Sequence, residues 1–81
     1  MIRKNPFEDM WHVEVPFGVS DPERLQVARE WCRENVPSKL MGQVQTYNIV
    51  DRGWHIERFR ERAIFGFYDD PIAVMFALKF A

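Results

Sequence analysis

Two short motifs in this 81-residue chain have the residue types and spacing for chemistry: His12-Val13-Glu14 and His55-Ile56-Glu57. Residues two apart on a β-strand share a face, so each motif sets an imidazole beside a carboxylate. If the two strands were neighbours, both histidines and both glutamates could gather round a metal such as zinc. The plainer reading is a polar strand face whose charges pair with one another. Spacing alone supplies none of the ligand geometry that a metal centre needs. No metal ligand, cofactor site or catalytic residue is assigned on this basis.

The other reactive groups have structural explanations. In zinc deaminases a His-x-Glu motif is joined to Pro-Cys-x-x-Cys, whereas this chain has a single cysteine, Cys32. Cys32 falls on the apolar stripe of a helix, where a small buried side chain is the usual role. A nucleophilic thiol needs exposure and a lowered pKa instead. Asp69 and Asp70 directly precede Pro71, a setting in which a carboxylate opens a helix rather than sharing a proton with its neighbour. The glycines are isolated, so no loop is built to cradle phosphate, and Ser20 and Ser38 have no local triad partners. The chain is expected not to be an enzyme.

Arg52, Arg58, Arg60 and Arg62, interleaved with Trp54, His55 and Phe59, combine cations with rings, as single-strand nucleic-acid surfaces do. Glu57 and Glu61 interrupt the series, which also fits an ordinary mixed-charge strand and loop. The formal net charge of -1 gives no general field for a polyanion, so duplex binding through the backbone is disfavoured.

These residues must be positioned by a single small domain. A hydrophobic fraction of 47% is enough for a core in a chain near the lower size limit for one. One cysteine allows no internal disulfide and suits a reducing compartment. The basic start is not followed by an apolar run, and the longest such run, 72–78, is far shorter than the ~20 residues a membrane helix needs. A cytoplasmic protein with no membrane segment is expected.

Residues 1–9 read as a flexible arm and 10–81 as one α+β domain. Alternation over 10–17 predicts a strand. Ser20 or Asp21, with Pro22 and Glu23, opens a helix that runs to Asn35 and ends at Pro37. Leu25, Ala28, Cys32 and Val36 form its apolar stripe, with Val27 and Trp31 lying off it. Residues 38–42 read as a connector, 43–50 as a strand and Asp51-Arg52-Gly53 as a turn. Residues 54–60 fit a strand or a helical turn, with the strand favoured, and 63–68 form a further strand. Asp70 caps a short helix over 72–77, and 78–81 form a closing edge strand. The resulting order is βαββαβ, the ferredoxin-like plan, with an antiparallel sheet and both helices on one face.

Phe65-Gly66-Phe67 resembles the centre of the RNP1 motif of RNA-recognition-motif domains. Ala63 and Ile64 stand where that motif has a basic residue and a glycine. The resemblance implies that Phe65 and Phe67 stack on bases from an open sheet face. The candidate nucleic-acid residues are then Arg52, Trp54, Arg58, Arg60, Arg62, Phe65 and Phe67. The C-terminal quarter, with its aromatic strand, Asp69-Asp70-Pro71, Met75-Phe76 and Leu78-Lys79-Phe80, resembles the ends of small uncharacterised α+β proteins of tailed phages. That likeness implies an origin, and with it a host cytoplasm, but brings no catalytic residues.

Association is the stronger expectation. In the strand 63–68 the residues Phe65 and Phe67 take one face, Ile64 and Tyr68 the other. A sheet with one wet face should alternate apolar with polar. Ile64 and Tyr68, with Val27 and Trp31 on the first helix, are therefore the expected contacts for a homodimer or for a host or viral protein. The leading expectation is a small non-enzymatic interaction or regulatory protein, and the alternative is a single-stranded nucleic-acid-binding module.

Overall fold

The computed structural model describes residues 2–5, 10–17 and 22–81. The expected helix opening at Ser20 or Asp21 lies outside them. The described chain runs β1 (Ile2–Asn5), β2 (Met10–Pro16), α1 (Pro22–Asn35), β3 (Lys39–Val44), β4 (Tyr47–Asp51), β5 (Trp54–Arg58), β6 (Arg62–Phe67) and α2 (Asp70–Phe80).

Strand alternation decides what is buried. Trp11, Val13 and Val15 of β2 stand opposite Phe67, Phe65 and Ala63 of β6. Across the other side of β6, Phe67 and Phe65 face Trp54 and Ile56 of β5. This gives one apolar face on a four-stranded antiparallel sheet of order β1-β2-β6-β5. Leu25, Ala28 and Cys32 of α1 and Ile72, Ala73, Phe76 and Phe80 of α2 complete the same buried cluster. On the opposite face, His12, Gly66 and His55 share one level, and Glu14, Ile64 and Glu57 the next.

Phe76 is the centre of the core. Its ring centroid lies 4.7 Å from Phe65, 4.9 Å from Phe67, 4.9 Å from Phe80 and 5.6 Å from Trp31. Offset and tilted contacts of this kind add stabilisation beyond the area that they bury. The Phe76–Phe80 contact also explains why α2 continues to Phe80, where a closing strand was expected over 78–81. One helical turn sets Phe80 on the face of Phe76, and Arg24 Nη2 donates to the Phe80 carbonyl at 2.7 Å. That hydrogen bond satisfies one of the carbonyls left over at a helix C-terminus. The start of α2 also differs by one residue. Asp69, not Asp70, is the cap; its backbone is extended, and its carbonyl accepts the Ala73 N–H at 3.0 Å.

The architecture is α+β with two helices and antiparallel sheets, but its element order is ββαββββα rather than βαββαβ. Three local events cause the difference. The C-terminus is helical throughout. Ile2–Asn5, expected within a loose arm, pair with β2 through Ile2 opposite Val13 and Lys4 opposite Trp11. The third event is a hairpin. The single strand expected over 43–50 is broken by a turn at Gln45-Thr46, where Gln45 takes a left-handed φ of 55°. Residues 39–42 of the expected connector are thereby drawn into β3, which among the described residues pairs with β4 as a separate two-stranded sheet.

That hairpin lengthens the molecule to 47 × 24 × 21 Å, with a radius of gyration of 13.6 Å. A compact chain of this length would have roughly 12 Å.

Replacing Phe76 by alanine should cost about 3–5 kcal/mol, as other Phe-to-Ala core deletions do. Leu78→Ala, on the exposed side of the same helix, should change stability by no more than about 0.5 kcal/mol. Urea unfolding followed by tryptophan fluorescence measures both.

Candidate functional site

The two His-x-Glu motifs do lie on one face, but β6 runs between their strands. His12 and His55 both stand opposite Gly66, which sets their backbones ~10 Å apart, two strand spacings. Among the described residues no three His, Cys, Asp or Glu side chains gather as a metal site. Their partners are local. Glu14 Oε1 accepts from Arg62 Nη1 at 3.2 Å, and His55 Nε2 lies 3.2 Å from both Asp51 Oδ2 and the Tyr68 hydroxyl. Between the motifs, Met10 packed over Gly66 floors a shallow depression of about 580 Å³ edged by His12, His55, Glu57, Ile64 and Tyr68.

The candidate nucleic-acid residues do not assemble into a stacking surface. Phe65 and Phe67 are fully buried beneath Phe76. The open-face position implied by the RNP1-like motif is therefore corrected. They share strand parity with Ala63, whose partner is Val15, so they point towards the helices. Trp54 is also buried, with the Arg52 guanidinium 3.9 Å over its ring and Arg52 Nε donating to its carbonyl at 2.7 Å. Arg58 lies 5.8 Å from the Phe17 ring, Arg62 pairs with Glu14 and covers Phe59, and Arg60 is exposed in the β5–β6 turn.

The expected protein-contact residues divide. Val27 is exposed on α1. Trp31 is half-buried on α1, with one part of its ring packed on Phe76 and Phe80. Ile64 and Tyr68 lie half-buried on the outer sheet face. Tyr68 is engaged by His55 and by Lys39 Nζ, 4.2 Å from its ring centroid.

The largest apolar exposure lies where sequence reasoning placed a connector and one plain strand. Leu40, Met41, Val44, Tyr47, Ile49 and Val50 of the hairpin are each between 49% and 73% exposed. Register puts Leu40 and Val50 on one side, and Val44, Tyr47 and Ile49 on the other, so both sides are apolar. The available signal was negative: residues 40–50 contain no charge and no proline.

Among the described residues, the polar contacts that tie the hairpin to the body lie at its base. Lys39 and Asp51 are cross-strand partners there. Lys39 lies over Tyr68, and Asp51 reaches His55 through Oδ2 while Oδ1 accepts the Gly53 N–H at 2.8 Å. Gly53, where β4 passes into β5, has φ 91°, and a Cβ there would collide with the Pro37 carbonyl oxygen. Glycine is required at that corner. A second, smaller apolar exposure on α2 comprises Val74, Met75 and Leu78. No helix among the described residues is long and apolar enough to cross a membrane.

No protein-family model, curated protein or solved structure matches this chain.

Cys32 is fully buried on α1, and burial pushes its thiol up to about 12, against a smaller opposing pull from Arg52. Above pH 9.0, the ordinary value for the thiol, the unfolded chain gives up this proton and the folded chain keeps it. The contribution of Cys32 to stability is therefore complete below that pH, and is lost as pH rises towards about 12. At pH 8 a disulfide-exchange reagent should label Cys32 only as fast as the chain opens. Rapid labelling of the native protein would contradict this placement.

Proposed function

We propose that this chain is a small non-enzymatic interaction protein that binds another protein through its β3–β4 hairpin. The observation that carries the reading is a hairpin that is uncharged over residues 40–50, with large apolar side chains exposed on both sides. Contiguous exposed apolar surface marks contact sites, and a lone two-stranded hairpin is marginal in water without cover. Fully burying a Leu, Ile or Val side chain is worth about 1.5–3 kcal/mol. Completing the cover of several half-exposed ones can therefore supply useful affinity. The occupant is a second copy or a host or viral protein. With the C-terminal resemblance to small tailed-phage proteins, the reading extends to a regulator that acts by occupying its target.

The nucleic-acid alternative is disfavoured by the burial of Trp54, Phe65 and Phe67, because stacking on bases requires open ring faces.

A photo-crosslinking residue at Tyr47, the most exposed of the six, should give protein adducts in expressing cells several-fold above the same residue at exposed Glu34 on α1. The triple variant Leu40→Thr, Ile49→Thr, Val50→Thr should abolish those adducts. It should leave stability within about 0.5 kcal/mol per site, as for surface positions. Equal adduct yields at Tyr47 and Glu34, or unfolding of the triple variant, would contradict the reading.

A further inference from the structure

Each outer strand of the two sheets exposes a row of backbone donors and acceptors, and proteins commonly guard such rows with charges or bulges. Here β1 carries Arg3 and Lys4, β5 carries His55, Glu57 and Arg58, and β3 carries Lys39 and a register shift between Leu40 and Gly42. Strand β4 differs. From Tyr47 to Val50 it has no charge and no proline, and where the register shifts, opposite Ile49 and Val50, the extra residue is Met41 of β3 rather than a residue of β4. Among the described strands it is the least guarded edge, with Asp51 at its base as its one charge, and it belongs to the element that extends from the body.

We propose that β4 pairs with β4 of a second copy of this chain, antiparallel, about a two-fold axis through Ile49. This deepens the interaction reading above and rests on it. Charge is compatible with this register. With Ile49 opposite its own copy, Asn48 falls opposite Val50 and Tyr47 opposite Asp51. The one charge on the strand then meets a phenol, and the two Asp51 carboxylates lie at opposite ends of the pairing. Like charges set directly opposite each other are destabilising, and this register avoids them. A chain whose arm is uncharged over 40–50 brings no repulsion to its own copy, whereas no complementary charge is offered to a charged partner. Joining the edges makes a four-stranded sheet, β3-β4 with the partner's β4-β3. That size has the independent stability that a lone hairpin lacks.

The tests use Ile49→Cys in the full-length chain, where the native thiol of Cys32 is buried. Directly opposed residues in an antiparallel pair have Cα atoms about 4.5–5.5 Å apart, within disulfide reach. Mild oxidation should link Ile49→Cys into a dimer at least ten-fold faster than Val50→Cys, which faces Asn48 of the other copy, or Val27→Cys on α1. In a separate pair of variants, Ile49→Lys and Ile49→Glu should each sediment as monomers and form a mixed dimer when combined. Equal linkage rates at positions 27, 49 and 50, or dimers of Ile49→Lys as tight as the wild type, would overturn the proposal. A wild type that stays monomeric at high concentration while Tyr47 still gives adducts to a different protein would overturn the self-pairing alone. Equal adducts from Tyr47 and Glu34 would instead overturn the interaction reading beneath it.

Discussion

The fold depends on one aromatic seat. Phe76 reaches the sheet through Phe65 and Phe67, its own helix through Phe80, and α1 through Trp31. Among the described residues no other buried ring has ring contacts that join both helices to the central strand. With one core of limited size available, everything that packs on this seat is ordered by the chain itself, and what does not reach it must find cover elsewhere. Gly66 belongs to the same arrangement from the other side. Between Phe65 and Phe67 it leaves room on the outer face for Met10, which packs over it where a Cβ would crowd the methionine methyl.

The β3–β4 hairpin does not reach the seat. Its connection to the body is polar and confined to its base, through Lys39 over Tyr68 and Asp51 with His55 and Gly53. Interactions of that kind, half-exposed and few, are each worth about 1 kcal/mol or less. They fix the root of the arm but cannot bury its side chains. The body edges carry charge along their length and the arm only at its root, at Lys39 and Asp51, which is the reverse of how a protein avoids association. The physical case for an interaction role therefore rests on a contrast within one chain, not on exposure alone.

Much of the body was legible in the sequence because its signals are periodic. Val13 and Val15, Leu25, Ala28 and Cys32, and Phe65 and Phe67 fall on the faces that alternation and helical spacing assign. Two inferences went astray for identifiable reasons. Phe-Gly-Phe is compatible with either sheet face, and only the position of Phe76 decides between them. Leu78-Lys79-Phe80 alternates like a strand, but the contact from Phe80 to Phe76, one helical turn away, holds it in the helix. The hairpin was the least legible element. Its turn at Gln45-Thr46 lacks the Asn-Gly or Gly-rich signature of tight hairpins, so the left-handed Gln45 gave no warning. Apolar character on both sides of 63–68 directed attention to Ile64 and Tyr68, which lie half-buried, whereas the larger apolar exposure is on residues 40–50.

The central claim is that the hairpin is stabilised by a second chain and the body by itself. Hydrogen exchange read by mass spectrometry over a range of protein concentrations tests this most directly. The amides of β6 should be protected to the same degree at every concentration, because they open only with the whole body. Those of residues 39–51 should exchange rapidly in dilute solution and become protected as concentration rises. Protection of 39–51 equal to that of β6 at the lowest concentration would contradict the account, since it would show that the chain covers its own arm.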